Sequence, residues 1–402
     1  MRSLRRMGSL ALLLGSMIGL FLMTDPTNTN YGLVKYPVIK YFPYLVSIIA
    51  CFLFLITNKI KFNKMSVLLF CFFFIALAGS TYALFTNGFM FEETYFGRML
   101  GGFVFIAFYL LSQDSYEVKW FIRRFLYIFV LTTCIIGTIL ILWKLGLIYV
   151  GLSQMYQVKG ILLVATGLLS FFVFRSELVS TFIFISTIAI YALVGKTTSL
   201  LVILAALAFF VLIRWKKIKK ALLSNRKNRM FYPVLFILLF VLLVFFTYMI
   251  NYSIEDRLDS RGHGVREVTF ALRLSEFIDS PIYGSLFTSS PLLDYGPLHI
   301  PSHSDILDLL SGGGMISILF FYLPLMLLIM KSFQAINYRF LNVWFSFLLL
   351  FYLVAMSVNP ILFMPGQCFI FWMSLGVLCG QKELSFRTRG YTNLMCNLLT
   401  PK

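Results

Sequence analysis

An all-α polytopic membrane protein, with about twelve transmembrane helices and one long outer loop containing an amphipathic helix, is the fold class this sequence predicts. Three observations predict it. Hydrophobic residues make up 60% of the 402 and charged residues only 12%, against roughly 45–50% and about 25% in soluble domains. The apolar residues come in runs close to the roughly 20 that a helix needs to cross a ~30 Å hydrocarbon core. The one long polar interruption is residues 253–303. A soluble globule of this size has too much surface to hide so many apolar side chains. Disordered chains are poor in aromatics, and this chain has 45 Phe and 21 Tyr. The runs are also far too long for the strands of a transmembrane barrel.

The candidate spans are, in order, 8–23, 41–58, 65–86, 97–112, 121–143, 160–174, 178–194, 197–213, 231–252, 304–330, 340–358 and 364–380. They divide the chain into nine spans over 1–252, the loop 253–303, three spans over 304–380 and a basic tail, 381–402. The start, Met1–Arg6 and then an apolar stretch, is built like a signal peptide. No small-residue cleavage site follows Met23, so the expectation is an uncleaved first span.

Loop charges orient these spans. The net charge is +18, from 34 Lys and Arg against 16 Asp and Glu. In a membrane protein such an excess marks cytoplasmic segments before it marks nucleic acid, so no nucleic-acid partner is expected. With the N-terminus inside, Arg2, Arg5, Arg6, Lys59, Lys61, Lys64, Lys119, Arg123, Arg124, Arg175, Lys331, Arg339 and the tail all fall on the inner side. The basic run 214–229 does too, and reads as a topology anchor before an anionic-lipid site. Both termini are then cytoplasmic. Ten cations oppose this bias at the outer side: Lys35, Lys40, Arg98, Lys144, Lys159, Lys196, Arg257, Arg261, Arg266 and Arg273. An anionic ligand is the simplest reason to keep positive charge there.

Within the outer loop, Val265 to Ile278 is free of Pro and Gly, and Val265, Val268, Leu272 and Phe277 recur at near-helical spacing. This is an amphipathic helix. Arg266 and Arg273 are two turns apart and share one face. Pro281 and Gly284 in SPIYG end the helix. The next span opens at Ser302-His303-Ser304-Asp305, with serines to cap it and Asp305 in its first turn. His303 thus stands at the N-terminal end of a membrane helix. Helix dipole and partial burial both disfavour imidazolium, which leaves a neutral ring able to take a proton.

Simpler readings compete for the same residues. Arg266 has Glu267 and Asp279 as partners within the loop, and Arg273 has Glu276 and Asp279. For Arg273 the structural pairing is the stronger reading. Arg257 and Arg261 lie beside Glu255, Asp256 and Asp259 and read as a solvated cluster. Arg98 follows Glu92 and Glu93. Asp305 and Asp308 share a helix face, and either is a candidate to assist His303. Gly195-Lys196-Thr197 lacks the earlier glycine of a phosphate loop. The glycines at 312–314 fit tight helix packing. His299 and His303 are separated by Pro301, without a carboxylate ligand pattern, so no metal and no cofactor is expected. The six cysteines show neither zinc spacing nor a disulfide framework.

The loop as a whole resembles the O-antigen ligase/polymerase family of bacterial envelope glycosyltransferases. The resemblance rests on Arg266 at the head of the loop helix, on SPIYG at 280–284 and on SHSDILDLLSGGGMIS at 302–317. A further piece, ALVGKTTSLLVILA at 192–205, has Lys196 where many members have Arg. The pieces cover about a fifth of the chain. Leu286 stands where a second glycine is common, and Ser304 where ligases often have Asn, which leans toward a polymerase.

The resemblance implies a metal-independent glycosyltransferase of the inner membrane with its active site on the periplasmic face. Its donor would be an undecaprenyl-diphosphate-linked oligosaccharide, its acceptor the non-reducing end of another lipid-linked repeat, and a chain-length regulator a further partner. Lys196 and Arg266 are then expected to hold the diphosphate, with Arg273 or Arg98 assisting. His303 is the expected base and Arg266 stabilises the leaving charge. The alternatives are a ligase moving finished polymer to lipid A core, and a flippase or other transporter of lipid-linked glycan.

Overall fold

A computed structural model describes residues 1–24, 37–57, 60–88, 94–147, 164–168, 170, 176–193, 203–204, 206–207, 265–295, 298–301, 304–334, 340–357, 361–362 and 365–381. The candidate spans 197–213 and 231–252 and the tail fall almost wholly outside these residues. What is described is mostly helical. The helices are α1 (Arg2–Thr24), α2 (Pro37–Thr57), α3 (Lys64–Thr86), α4 (Tyr95–Met99), α5 (Gly101–Ser112), α6 (Ser115–Lys144) and α7 (Glu177–Leu193). After them come α8 (Val265–Asp279), α9 (Asp305–Ser317), α10 (Leu323–Gln334), α11 (Phe340–Met356) and α12 (Pro365–Gly380). A π-helical turn, Ile318–Tyr322, joins α9 to α10.

Among the described residues, three helices are long and apolar enough to cross a membrane: Val38–Thr57, Lys64–Thr86 and Asp305–Ser332. This gives the chain the character of a membrane protein. The stretch 97–112, read from the sequence as one span, is divided between α4 and α5. At 12 residues, about 18 Å, α5 is too short to cross alone. Its opening glycines let other helices close in. A Cβ on Gly102 would lie 1.8 Å from the Phe73 ring, and one on Gly101 2.1 Å from the Trp372 ring.

A small departure from an all-α fold lies between α8 and α9. Strands β1 (Leu292–Tyr295) and β2 (Leu298–Pro301) pair antiparallel, with Leu293 opposite Ile300. Four residues each give too little alternation to register as strands beside so many prolines and serines.

Contacts sort the element ends into two groups. In one, Asn63 caps α3 with a reciprocal Ser66 bond and donates to the carbonyl of Cys379 at 2.8 Å. The Tyr109 hydroxyl donates to the Lys61 carbonyl. Arg5 pairs with Asp114 at 3.1 Å, and Arg6 with the buried Glu117 at 3.2 Å. Arg6 and Arg124 also stack on Trp120, each 4.1 Å from the ring centre. The starts of α1, α3 and α6 and the ends of α2, α5 and α12 therefore meet. In the other group, the end of α3 meets the loop through Asn87, which donates to the Thr288 carbonyl at 3.0 Å. The start of α9 meets the α11–α12 connection, where Asp305 accepts from the Leu362 amide at 2.8 Å.

The core runs between these ends. Residues 366–380 of α12 are all buried. A Cβ on Gly376 would lie 2.5 Å from the Phe105 carbonyl, and Gly15 and Gly19 of α1 clasp Phe369. Phe108, Phe121, Phe125, Phe129 and Trp344 continue the packing through successive ring contacts.

Candidate functional site

The loop helix meets the first turns of α9 through Arg273. Ser304 caps that helix, its hydroxyl accepting from the Leu307 amide at 3.3 Å and lying 3.5 Å from the Met356 carbonyl. Asp305 and Asp308 follow in the first turn, where the helix dipole favours anions, and both are fully buried. His303 is the residue before this cap and lies outside the described residues, as does Lys196.

Helix α8 is the amphipathic helix expected from the sequence, to within a residue at its C-terminal end. Its packed side is polar. Arg273 is 1% exposed, and its Nε lies 3.1 Å from Oδ1 of Asp308. Its Nη1 donates to Glu276 at 2.7 Å, and its Nη2 to the Ser290 carbonyl at 3.0 Å. The Ser311 hydroxyl donates to the same Glu276 carboxylate at 2.6 Å. Burial alone would lower the pKa of this guanidinium. The nearby Tyr95, Asp308 and Glu276 outweigh that and hold it above the ordinary arginine value. Arg273 thus fastens α8 to α9, with protein groups on each guanidinium nitrogen. Arg266 stands two turns earlier in α8, about 10 Å along the axis.

Helix α4 reaches the same spot. The Tyr95 hydroxyl donates to the Asp308 carbonyl at 2.6 Å, and Tyr95 is fully buried. Arg98 lies one turn beyond Tyr95 in this five-residue helix. Of the five candidate site residues, three therefore sit on elements that converge on the start of α9.

The two loop motifs dock on one another. The Ser285 amide donates to the Ser311 carbonyl at 3.1 Å, the Phe287 amide to the Gly312 carbonyl at 2.8 Å, and the Met315 amide to the Pro281 carbonyl at 2.9 Å. Gly284 has φ +58, and a Cβ on it would lie 2.4 Å from the Ser311 carbonyl. Gly314 is non-helical (φ 52, ψ −136), which breaks α9 where Met315 turns its amide to Pro281. The glycines at 312 and 313 leave room for the Phe287 ring, 2.9 and 2.4 Å from where their Cβ atoms would stand. They are packing glycines rather than a phosphate cradle.

Comparison with family models, characterised proteins and solved structures finds no match. A buried carboxylate, Asp308, paired with one buried arginine at a dipolar helix start holds neighbouring groups in fixed geometry. Among the described residues no three His, Cys, Asp or Glu are placed to hold a metal ion.

Sequence reasoning missed Tyr95, Asp308 as the partner of Arg273, and the anchoring role of Phe287. Tyr95 and Asp308 are 213 residues apart, and no local pattern joins them. Phe287 did carry a signal: an aromatic just past the SPIYG turn motif.

Proposed function

We propose that this protein polymerises lipid-linked oligosaccharide repeat units at the outer face of a bacterial inner membrane. It would have about twelve spans, both termini in the cytoplasm and its active site in the periplasm. The observation that carries this reading is the fastening of α8, which bears Arg266, onto the first turns of α9, directly after His303. The sequence resemblance supplies the chemistry.

In this mechanism Arg266 and Lys196 bind the diphosphate of an undecaprenyl-diphosphate donor. Arg266 forks to phosphate oxygens, and Lys196 adds a point charge. Arg98 is available to assist. Arg273, engaged by Asp308 and Glu276, positions α8 instead of binding substrate. His303 takes the proton of the acceptor hydroxyl as its oxygen attacks the anomeric carbon. The bond from that carbon to the diphosphate breaks, and polyprenyl diphosphate leaves with the electron pair. A single displacement inverts the anomeric centre.

Purified full-length protein given lipid-linked repeats is expected to make ladders of increasing length without nucleotide or added divalent metal. Arg266→Ala and His303→Ala are each expected to reduce ladder formation by about a hundredfold or more, with unchanged expression. Ladders retained at the wild-type rate remove that residue from the mechanism. Gene deletion separates the ligase alternative: single repeats still attached mark a polymerase, unattached polymer a ligase.

A flippase is the second reading. It is favoured by the interruption of a membrane helix at Gly314 and by two buried carboxylates at its start, features that transporters use. Accumulation of unflipped lipid-linked repeats on deletion would select it.

A further inference from the structure

The stretch after α8 sits deeper than a surface loop. A Cβ on Gly79 would lie 1.8 Å from the Leu286 carbonyl oxygen, and Gly79 is seven residues, about 10 Å, before the end of α3. At 23 residues, or about 34 Å, α3 exceeds a ~30 Å hydrocarbon core by only a few ångströms. The level of Gly79 is therefore inside the hydrocarbon. From the other side, residues 281–287 bond to Ser311, Gly312 and Met315, which lie about 9–15 Å beyond the start of α9.

Irregular backbone survives at that depth only if its polar groups are satisfied within the protein. Here they are. Besides the three bonds to α9, the Gly284 amide donates to the Ser280 carbonyl, the Leu286 amide to Tyr283 and the Thr288 amide to Ser285. The Ser280 hydroxyl donates to the Gly284 carbonyl at 3.0 Å. Phe287 is fully buried and meets Phe72 and Tyr95 edge to face.

The outward side of the same unit is mostly apolar, with the exposed Ser275 and Asp279 lying on it as well. Val268, Leu272 and Ile278 on α8 are exposed, followed by Ile282, Tyr283 and Leu286 on the turn. The amphipathicity of α8 is inverted relative to a soluble loop helix, with Arg273 inside and leucine outside. The apolar strip adjoins exposed Met315 and Leu319 on the α9 segment and exposed Tyr82 and Phe85 on α3.

We infer that residues 281–287 form a re-entrant turn inserted into the leaflet in which α9 begins. Ile282, Tyr283 and Leu286 then contact lipid hydrocarbon, and α8 lies along the interface with Val268, Leu272 and Ile278 against the lipid. An interfacial helix sinks its apolar face about 5–10 Å below the headgroups, which matches the level of the turn. The inference requires the membrane and the contacts above, and is independent of glycosyl transfer.

The test uses the full-length, otherwise native chain in lipid vesicles. An environment-sensitive fluorescent amino acid is placed at Tyr283 and, as a shallow reference, at the exposed Thr86 that ends α3. Position 283 is expected to be quenched several-fold more by acyl-chain bromines than by aqueous iodide, and position 86 to show the reverse order. Equal or greater iodide quenching at 283 than at 86 overturns the proposal. A benzophenone amino acid at Ile282, chosen for its exposure, gives a second readout. Adducts to phospholipid acyl chains support the inference, while chain-to-chain adducts would assign the surface to a second copy and overturn it. Ladder activity can fail in either variant without affecting these readouts.

Discussion

Removing the guanidinium of Arg273 takes the cation away from Asp308, a carboxylate without exposed surface. Deleting one partner of a buried pair costs about 3–5 kcal/mol. Arg273→Ala is therefore expected to lower the thermal unfolding midpoint in detergent by several degrees. Arg273→Lys should restore only part of it, because one ammonium cannot reach Asp308, Glu276 and Ser290 together. A wild-type melting curve for Arg273→Ala would show that the pair adds nothing to the fold. Leu286 offers the opposite case. It adopts φ +52 and Phe287 φ +61, a region that costs a non-glycine residue about 1 kcal/mol or more. Leu286→Gly is expected to leave stability unchanged or slightly raised, whereas Gly284→Ala, which meets the Ser311 carbonyl, should lower it by about 1–3 kcal/mol. Melting curves of the two variants check the order. The resemblance had marked Leu286 as a departure from glycine, and its backbone keeps the conformation glycine favours. The pairing of Arg273 with Glu276 was legible because three residues separate them on one helix. Asp308 was not, because the pairing depends on how α8 folds back.

At the scale of elements, the bounds of α8 were readable from its pattern and from Pro281 after its end. The interruption of α9 was only half readable. Three consecutive glycines announce close packing, but not that Phe287 fills the space or that Pro281 captures the Met315 amide. Gly79 tests this fit from the side of α3. Gly79→Ala places a methyl against the Leu286 carbonyl and is expected to cost about 1–3 kcal/mol. It should also release the Ser285 and Phe287 amides, so their hydrogen exchange should quicken while α12 stays protected. Unchanged exchange at these amides would mean that the turn does not rest on α3. Ser304→Ala removes the cap of α9 and is expected to cost about 1 kcal/mol, read as a lower melting midpoint.

For the molecule as a whole, charge placed the ends of elements more readily than hydropathy placed their faces. Arg2, Arg5, Arg6, Lys61, Lys64 and Lys119 share one group of element ends, because Arg5 and Arg6 bind Asp114 and Glu117 and Asn63 binds the end of α12. Which face of a span meets protein and which meets lipid is hidden, since both are apolar. The exposed Tyr116 and Thr86 belong to opposite groups. Cysteines placed there are expected to react with a membrane-impermeant maleimide from opposite sides of a sealed vesicle, and reaction from one side would overturn the twelve-span arrangement. The burial of α12 bears on biogenesis. The helix that α1, α2, α5 and α11 enclose is encoded after all of them, so in the proposed membrane arrangement the earlier helices would enter the bilayer before the helix that fills their centre. Ribosome-bound chains halted before Pro365 should remain loosely associated and open to membrane proteases, and consolidation should come in one late step when α12 leaves the translocon.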